Sequence, residues 1–98
     1  MVTRHAWRTQ APPANTASVR LFARLSEIAG VRRVVIELGS GLTAREVFLN
    51  VCHRFPGLQE YEGRLLFAVN ADYASPDTVV KAGDELTLIP PVSGGAAR

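Results

Sequence analysis

The 98-residue chain predicts an α+β domain, a mixed sheet of about four to five strands curled over one main helix. Three observations carry that expectation. Two runs near the start alternate apolar and polar residues, a central stretch switches to helical spacing, and strand-like runs then return and stop at a pair of prolines. The length suits one domain with a single modest core.

"SVRLFARL" (18–25) places Val19, Leu21, Ala23 and Leu25 on one side and Arg20, Phe22 and Arg24 on the other, the pattern of a half-buried strand. "VRRVVIEL" (31–38) repeats it through Val34, Ile36 and Leu38. The five residues Ser26–Gly30 between the two runs suit a hairpin connection. In "LTAREVFLNVCHRF" (42–55) the period changes, and Ala44, Val47, Phe48, Val51, Cys52 and Phe55 form the buried stripe of an amphipathic helix. Thr43 and Glu46 make a capping box, Leu42 and Val47 a hydrophobic staple, and Pro56-Gly57 a stop.

"RLLFAVN" (64–70) is more continuously apolar, as in a strand covered on both sides or lying centrally. "DTVV" (77–80) reads as a short strand, "KAGDE" (81–85) as a turn and "ELTLIP" (85–90) as the last strand. There Leu86 and Leu88 face one way and Glu85, Thr87 and Ile89 the other. Strand, strand, helix, strand, short strand, strand is the order of the ubiquitin-like β-grasp fold. Residues 1–17, with Pro12-Pro13 and no hydrophobic period, are expected to be a flexible leader. Residues 18–91 then form the β-grasp domain, and 92–98 a flexible tail.

Composition removes several function classes. Of eleven Lys/Arg, Arg4 and Arg8 lie in the leader, leaving nine against nine Asp/Glu from Ser18 onward. A neutral domain lacks the basic footprint of nucleic-acid binding. One cysteine, Cys52, excludes an internal disulfide, and His5 and His53 have no metal-ligand spacing. No apolar run is long enough to span a membrane, and the first residues lack the apolar core of a secretory signal. The expected location is cytoplasmic.

Side-chain catalysis has little support. Cys52 sits on the apolar stripe, as small buried residues do. His53 diverges from it by about 100° around a helix and suits the helix end. Asp84, Glu85 and Lys81 belong to turn chemistry. What remains unusual is the ending. Pro90 and Pro91 cannot donate ladder hydrogen bonds, so the strand stops and the chain leaves extended. Ser93, Gly94 and Gly95 follow with almost no side-chain bulk, which lets a backbone enter a narrow channel.

"VRLFARLSEIAG", "LTAREV", "LLFAVN" and above all "GDELTLIPPVSGG" closely resemble the MoaD-like sulfur carriers, the small subunits of molybdopterin synthase. The resemblance spans about Ser18 to Gly95. It implies that the Gly95 carboxylate is adenylated by an E1-like adenylyltransferase using ATP and converted to a thiocarboxylate, with Gly94 completing the reactive tip. The loaded tail would then donate sulfur to the pterin precursor inside the large subunit of molybdopterin synthase, within a heterotetramer. The resemblance further implies a carrier that binds no cofactor itself and is not catalytic alone. The resemblance also implies that Phe22, Tyr73 and Ile89 form the apolar contact with the large subunit and the activating enzyme, with Pro90, Pro91 and Val92 continuing it. Alternation had already placed Phe22 and Ile89 on outward faces.

One departure stands out: family carriers end at the second glycine, and this chain continues with Ala96-Ala97-Arg98. While that extension remains, Gly95 carries an amide and cannot be adenylated, so trimming by a processing protease is expected. The alternatives are a ubiquitin-like modifier conjugated through Gly95 and a non-catalytic β-grasp binding module.

Overall fold

Alternation in the first run produces β1 (Thr16–Leu21), which buries Ala17, Val19 and Leu21 and turns Arg20 outward. The computed structural model describes residues 15–91. The leader up to residue 14 and the tail residues Val92, Gly94 and Gly95 therefore lie outside the described residues. β1 starts two residues before the expected boundary at Ser18. Thr16 and Ala17 pair with Glu37 and Ile36 of β2 (Arg33–Glu37), so they belong to the sheet and not to a leader. Ala17 simply continues the apolar alternation.

The first two strands pair antiparallel as a hairpin requires, but the expected connection between them is corrected by the structure. β1 ends at Leu21, and a short helix, α1 (Arg24–Ala29), replaces the loop Ser26–Gly30. Leu25 is fully buried from this helix, not from a strand, with Ile28 and Ala29 packed against the core. Spacing at 25, 28 and 29 is helical, but over so few residues it overlaps the alternation that precedes it. Gly30, at φ 79°, closes the helix in the left-handed conformation, and its N–H donates to Ser26 O at 2.8 Å.

The main helix, α2 (Ala44–Arg54), forms where the period predicts, and Ala44, Val47, Phe48, Val51 and Cys52 are buried. Its first turn leaves no early donor idle. Glu46 N donates to Thr43 Oγ1 at 3.2 Å and Thr43 N to Glu46 Oε1 at 2.9 Å, closing the capping box. Ala44 N and Arg45 N donate to Thr78 O and Pro76 O at 2.8 and 3.0 Å. Those two acceptors lie just before β6 (Val79–Val80), which is held at the helix start by a small antiparallel ladder with β3 (Leu42–Thr43), separate from the main sheet. The run "DTVV" thus serves the helix end, and only its last two residues are strand. After α2 a 3-10 turn (Pro56–Tyr61) buries Leu58 and runs so close to α1 that a Cβ on Gly57 would lie 2.8 Å from Ile28 Cγ2.

β4 (Leu66–Val69) and β5 (Asp72–Ala74) form a tight hairpin, and β5 is a strand that the sequence pattern does not predict. Its two turn residues, Asn70 and Ala71, have φ of 50° and 77°. Asn tolerates this conformation and Ala does not, so the usual Asn-Gly signature is absent. Asn70 compensates by bonding across to the turn before β7 (Glu85–Ile89): its Nδ2 donates to Asp84 Oδ1 at 2.8 Å, and Glu85 N donates to its Oδ1 at 2.9 Å.

The main sheet has five strands in the order β2-β1-β7-β4-β5, and β7 pairs parallel with β1 and antiparallel with β4. This is the mixed sheet of an α+β β-grasp domain. One face carries Val19, Leu21, Val34, Ile36, Phe67, Leu86 and Leu88 into a core completed by the α2 stripe.

Two consequences are measurable. Replacing Thr43 by Ala removes half of the capping box and should cost about 1 kcal/mol, read as a lower denaturation midpoint with unchanged m-value. Cys52 is 6% exposed; burial, aided by the negative charge of Glu62, pushes its thiol above the usual range. A raised thiol pKa makes a contribution to stability that is present below the unfolded thiol's pKa and lost as pH rises through the folded one. Alkylation by iodoacetamide near neutral pH should be slow in the folded protein and fast in denaturant; equal rates would contradict the burial.

Candidate docking surface at the root of the tail

The outward face of the sheet has two halves. Toward β2 it is charged: Arg33 Nη2 lies 2.7 Å from Glu85 Oε2, and the Arg20 guanidinium sits 5.1 Å from the centre of the Phe22 ring. Toward β4 it becomes apolar. Leu66 is the cross-strand partner of Ile89, and Ala68 the partner of both Tyr73 and Thr87. Directly paired residues point to the same side, with Cβ atoms about 5 Å apart, so Ile89 and Leu66 adjoin on this face.

Phe22 joins them because of how β1 ends. Its N–H donates to Leu88 O at 3.3 Å, extending the parallel ladder by one residue and bringing Phe22 alongside the end of β7. Phe22, Leu66 and Tyr73 are 39%, 55% and 77% exposed, respectively. Ile89 and Pro90 are half-buried, and Pro91 is exposed. The described chain ends at Pro91, beside this patch. Of the sequence-derived site residues, Phe22, Ile89, Pro90 and Pro91 are thus brought together, while Tyr73 lies further out on edge strand β5. Val92, Gly94 and Gly95 fall outside the described residues.

Leu66 was absent from the sequence-derived set. Its signal is present but ambiguous: "RLLFAVN" is apolar on both faces, which suits a strand covered on both sides or one lying centrally, and β4 does lie between β7 and β5. In the structure Phe67 faces the core, while Leu66 faces solvent. An apolar strand residue exposed beside other apolar residues is the useful cue, and it needs the register to be seen.

Catalytic or metal-binding groups do not gather here. Among the described residues no group of three or more His, Cys, Asp or Glu could hold a metal ion. No helix among them is long and apolar enough to cross a membrane. His53 is exposed and Cys52 buried, on the helix across the core from this face. The arrangement is suited to holding a partner next to the point where the tail departs.

Comparison with known proteins fits this geometry. Residues 19–95 match the ThiS family. The chain is 36% identical over 77 residues to the molybdopterin synthase sulfur carrier subunit of Arabidopsis thaliana, covering 79% of this chain and 80% of the plant protein. Its fold is similar to SAMP1 from Haloferax volcanii, a small archaeal modifier protein, with a TM-score of 0.73 at 30% identity, covering 82% of this chain and 99% of that one. It is also similar to a chain in the complex of subunits 1 and 2 of molybdopterin-converting factor from Helicobacter pylori, with a TM-score of 0.57 at 26% identity, covering 82% and 99%. The family match begins within β1 and runs through the other strands and α2 as far as Gly95, so the chain belongs to the ThiS family.

Proposed function

We propose that this chain is the sulfur-carrier subunit of a molybdopterin synthase, acting through the carboxyl end of Gly95. The observation that carries the reading is the apolar cluster of Phe22, Leu66 and Ile89 at the point where the chain leaves the sheet. A partner seated there holds the tail within a few residues of its own active site. Docking turns a bimolecular encounter into a local reaction, so the carrier needs no catalytic side chain. The sulfur carrier subunit of Arabidopsis thaliana and the two-subunit complex of Helicobacter pylori support a large synthase subunit as that partner.

The chemistry follows from the end group. Residues matched to the family stop at Gly95, leaving Ala96-Ala97-Arg98 outside the match. A protease hydrolyses the Gly95–Ala96 amide and frees a carboxylate. In an E1-like activating enzyme a carboxylate oxygen attacks the α-phosphorus of ATP and pyrophosphate departs. Hydrosulfide then attacks the acyl carbon and displaces AMP, a far better leaving group than oxide, leaving a thiocarboxylate with no change of oxidation state. In the large subunit that sulfur bonds to a carbon of the pterin precursor, and water then cleaves the acyl carbon–sulfur bond, returning Gly95 to a carboxylate. Val92–Gly95 supplies a slender arm for both active sites. These steps take place in the cytoplasm.

Similarity to a small archaeal modifier protein favours a second reading, in which activated Gly95 is joined to lysines of other proteins. Intact-mass analysis of the protein purified from its native cells, grown where molybdenum-dependent enzymes are required, separates the cases. The carrier reading expects a chain ending at Gly95, part of it heavier by the difference between sulfur and oxygen. The modifier reading expects a ladder of conjugates on denaturing gels. Finding only the full 98-residue chain would rule out both.

A further inference from the structure

Beyond Phe22 the surface turns a corner into a groove of about 650 Å³ between the β1–α1 turn and the 3-10 turn. Phe22, Tyr61, Ile89 and Pro90 give it apolar walls, while Arg24 and Arg64 stand at its sides. Among the described residues none lining it carries a carboxylate. Both guanidinium groups are weakly committed within the chain. Arg64 stacks 5.7 Å from the centre of the Tyr61 ring and reaches Glu60 O only at 3.4 Å. Arg24 meets Glu27 at 3.4 Å with both side chains about two-thirds exposed, a geometry worth little. By contrast, Arg33 and Arg45 hold close carboxylate partners, Glu85 and Glu62.

The backbone at the corner is unusual as well. Ala23 has φ 51° and ψ −123°, a strained region that residues with a Cβ rarely occupy. This turn carries the chain from Phe22 on one side of the groove to Arg24 on the other. The strain therefore sits where the walls of the groove are made.

We propose that this groove receives an apolar segment of the large synthase subunit bearing an Asp or Glu, whose carboxylate is held by Arg24 and Arg64. The assignment rests on the function proposed above and adds the chemistry of the partner's contact. The groove is continuous with the tail-root patch through Phe22 and Ile89, so one partner covers both. Apolar walls favour an anchoring side chain, and weakly engaged cations at the sides favour an acidic group over a neutral one. A second copy of this chain is a poor occupant, because face-to-face grooves would bring like charges together. Contacts of this kind guide encounter and fix orientation more than they add affinity.

Binding of the full chain to the purified large subunit from the same genome, measured by surface plasmon resonance at low and high salt, tests this. The R24A/R64A pair should weaken binding at low salt on the order of tenfold, mainly through slower association, and flatten the salt dependence. The R24K/R64K pair should recover most of the association rate, because it keeps the charge. R24E/R64E should bind more weakly than the alanine pair. Thermal melts matching the parent show that each variant is folded, and if the alanine pair melts early the lysine and glutamate pairs carry the comparison. Alanine variants that bind like the parent, with the same salt dependence, would overturn the groove assignment and leave the proposed function intact. Failure of the parent itself to bind would overturn the proposed function, and this assignment with it.

Discussion

The parallel pairing of β1 with β7, from Ser18 against Glu85 to Leu21 against Leu88, is the constraint on which the rest of the domain depends. Parallel neighbours cannot be joined by a tight turn, so the chain between them must cross over the sheet. The intervening residues meet that demand with α2, whose apolar stripe covers the face left open by Val19, Leu21, Leu86 and Leu88. The same pairing determines the surface. It sets the first strand beside the last, and so brings Phe22 next to the place where the chain leaves the fold. Core and docking face are two sides of one register.

Along the outward side, side-chain chemistry changes strand by strand. Arg20, Arg33 and Glu85 occupy the β2–β1–β7 part, where charge keeps the sheet wet. Ile89, Leu66 and Tyr73 occupy the β7–β4–β5 part. The division is a gradient, and the tail leaves from its apolar end. Arg24 and Arg64 then bring positive charge back around the corner. A partner approaching this end meets an apolar floor with cations along one side, which is enough to define an orientation.

Much of this was legible in the sequence, and the reasons are specific. Helix α2 declared itself because its stripe, capping box and stop signal agree over a long window. Phe22 and Ile89 could be picked out because each interrupts an otherwise polar face. The short elements were hidden. In α1 the helical spacing of Leu25, Ile28 and Ala29 overlaps a preceding alternation. In the β4–β5 hairpin Ala71 stands where Gly would advertise the turn. Leu66 and the groove depend on register and on contacts between distant segments, and no local pattern encodes either. The glycine tip was conspicuous in sequence, yet it lies beyond the described residues, so its role rests on chemistry and kinship.

The position of β7 has a mechanical consequence. A tail gripped by another protein pulls along the axis of the central strand. Bonds to β1 on one flank and to β4 on the other then carry the load together, in shear, so they do not break one after another as in unzipping. Pro90 and Pro91, lacking N–H groups, mark where the loaded ladder ends. Force applied at Pro91 is therefore spread over both flanks of β7 while the domain behind it keeps its shape.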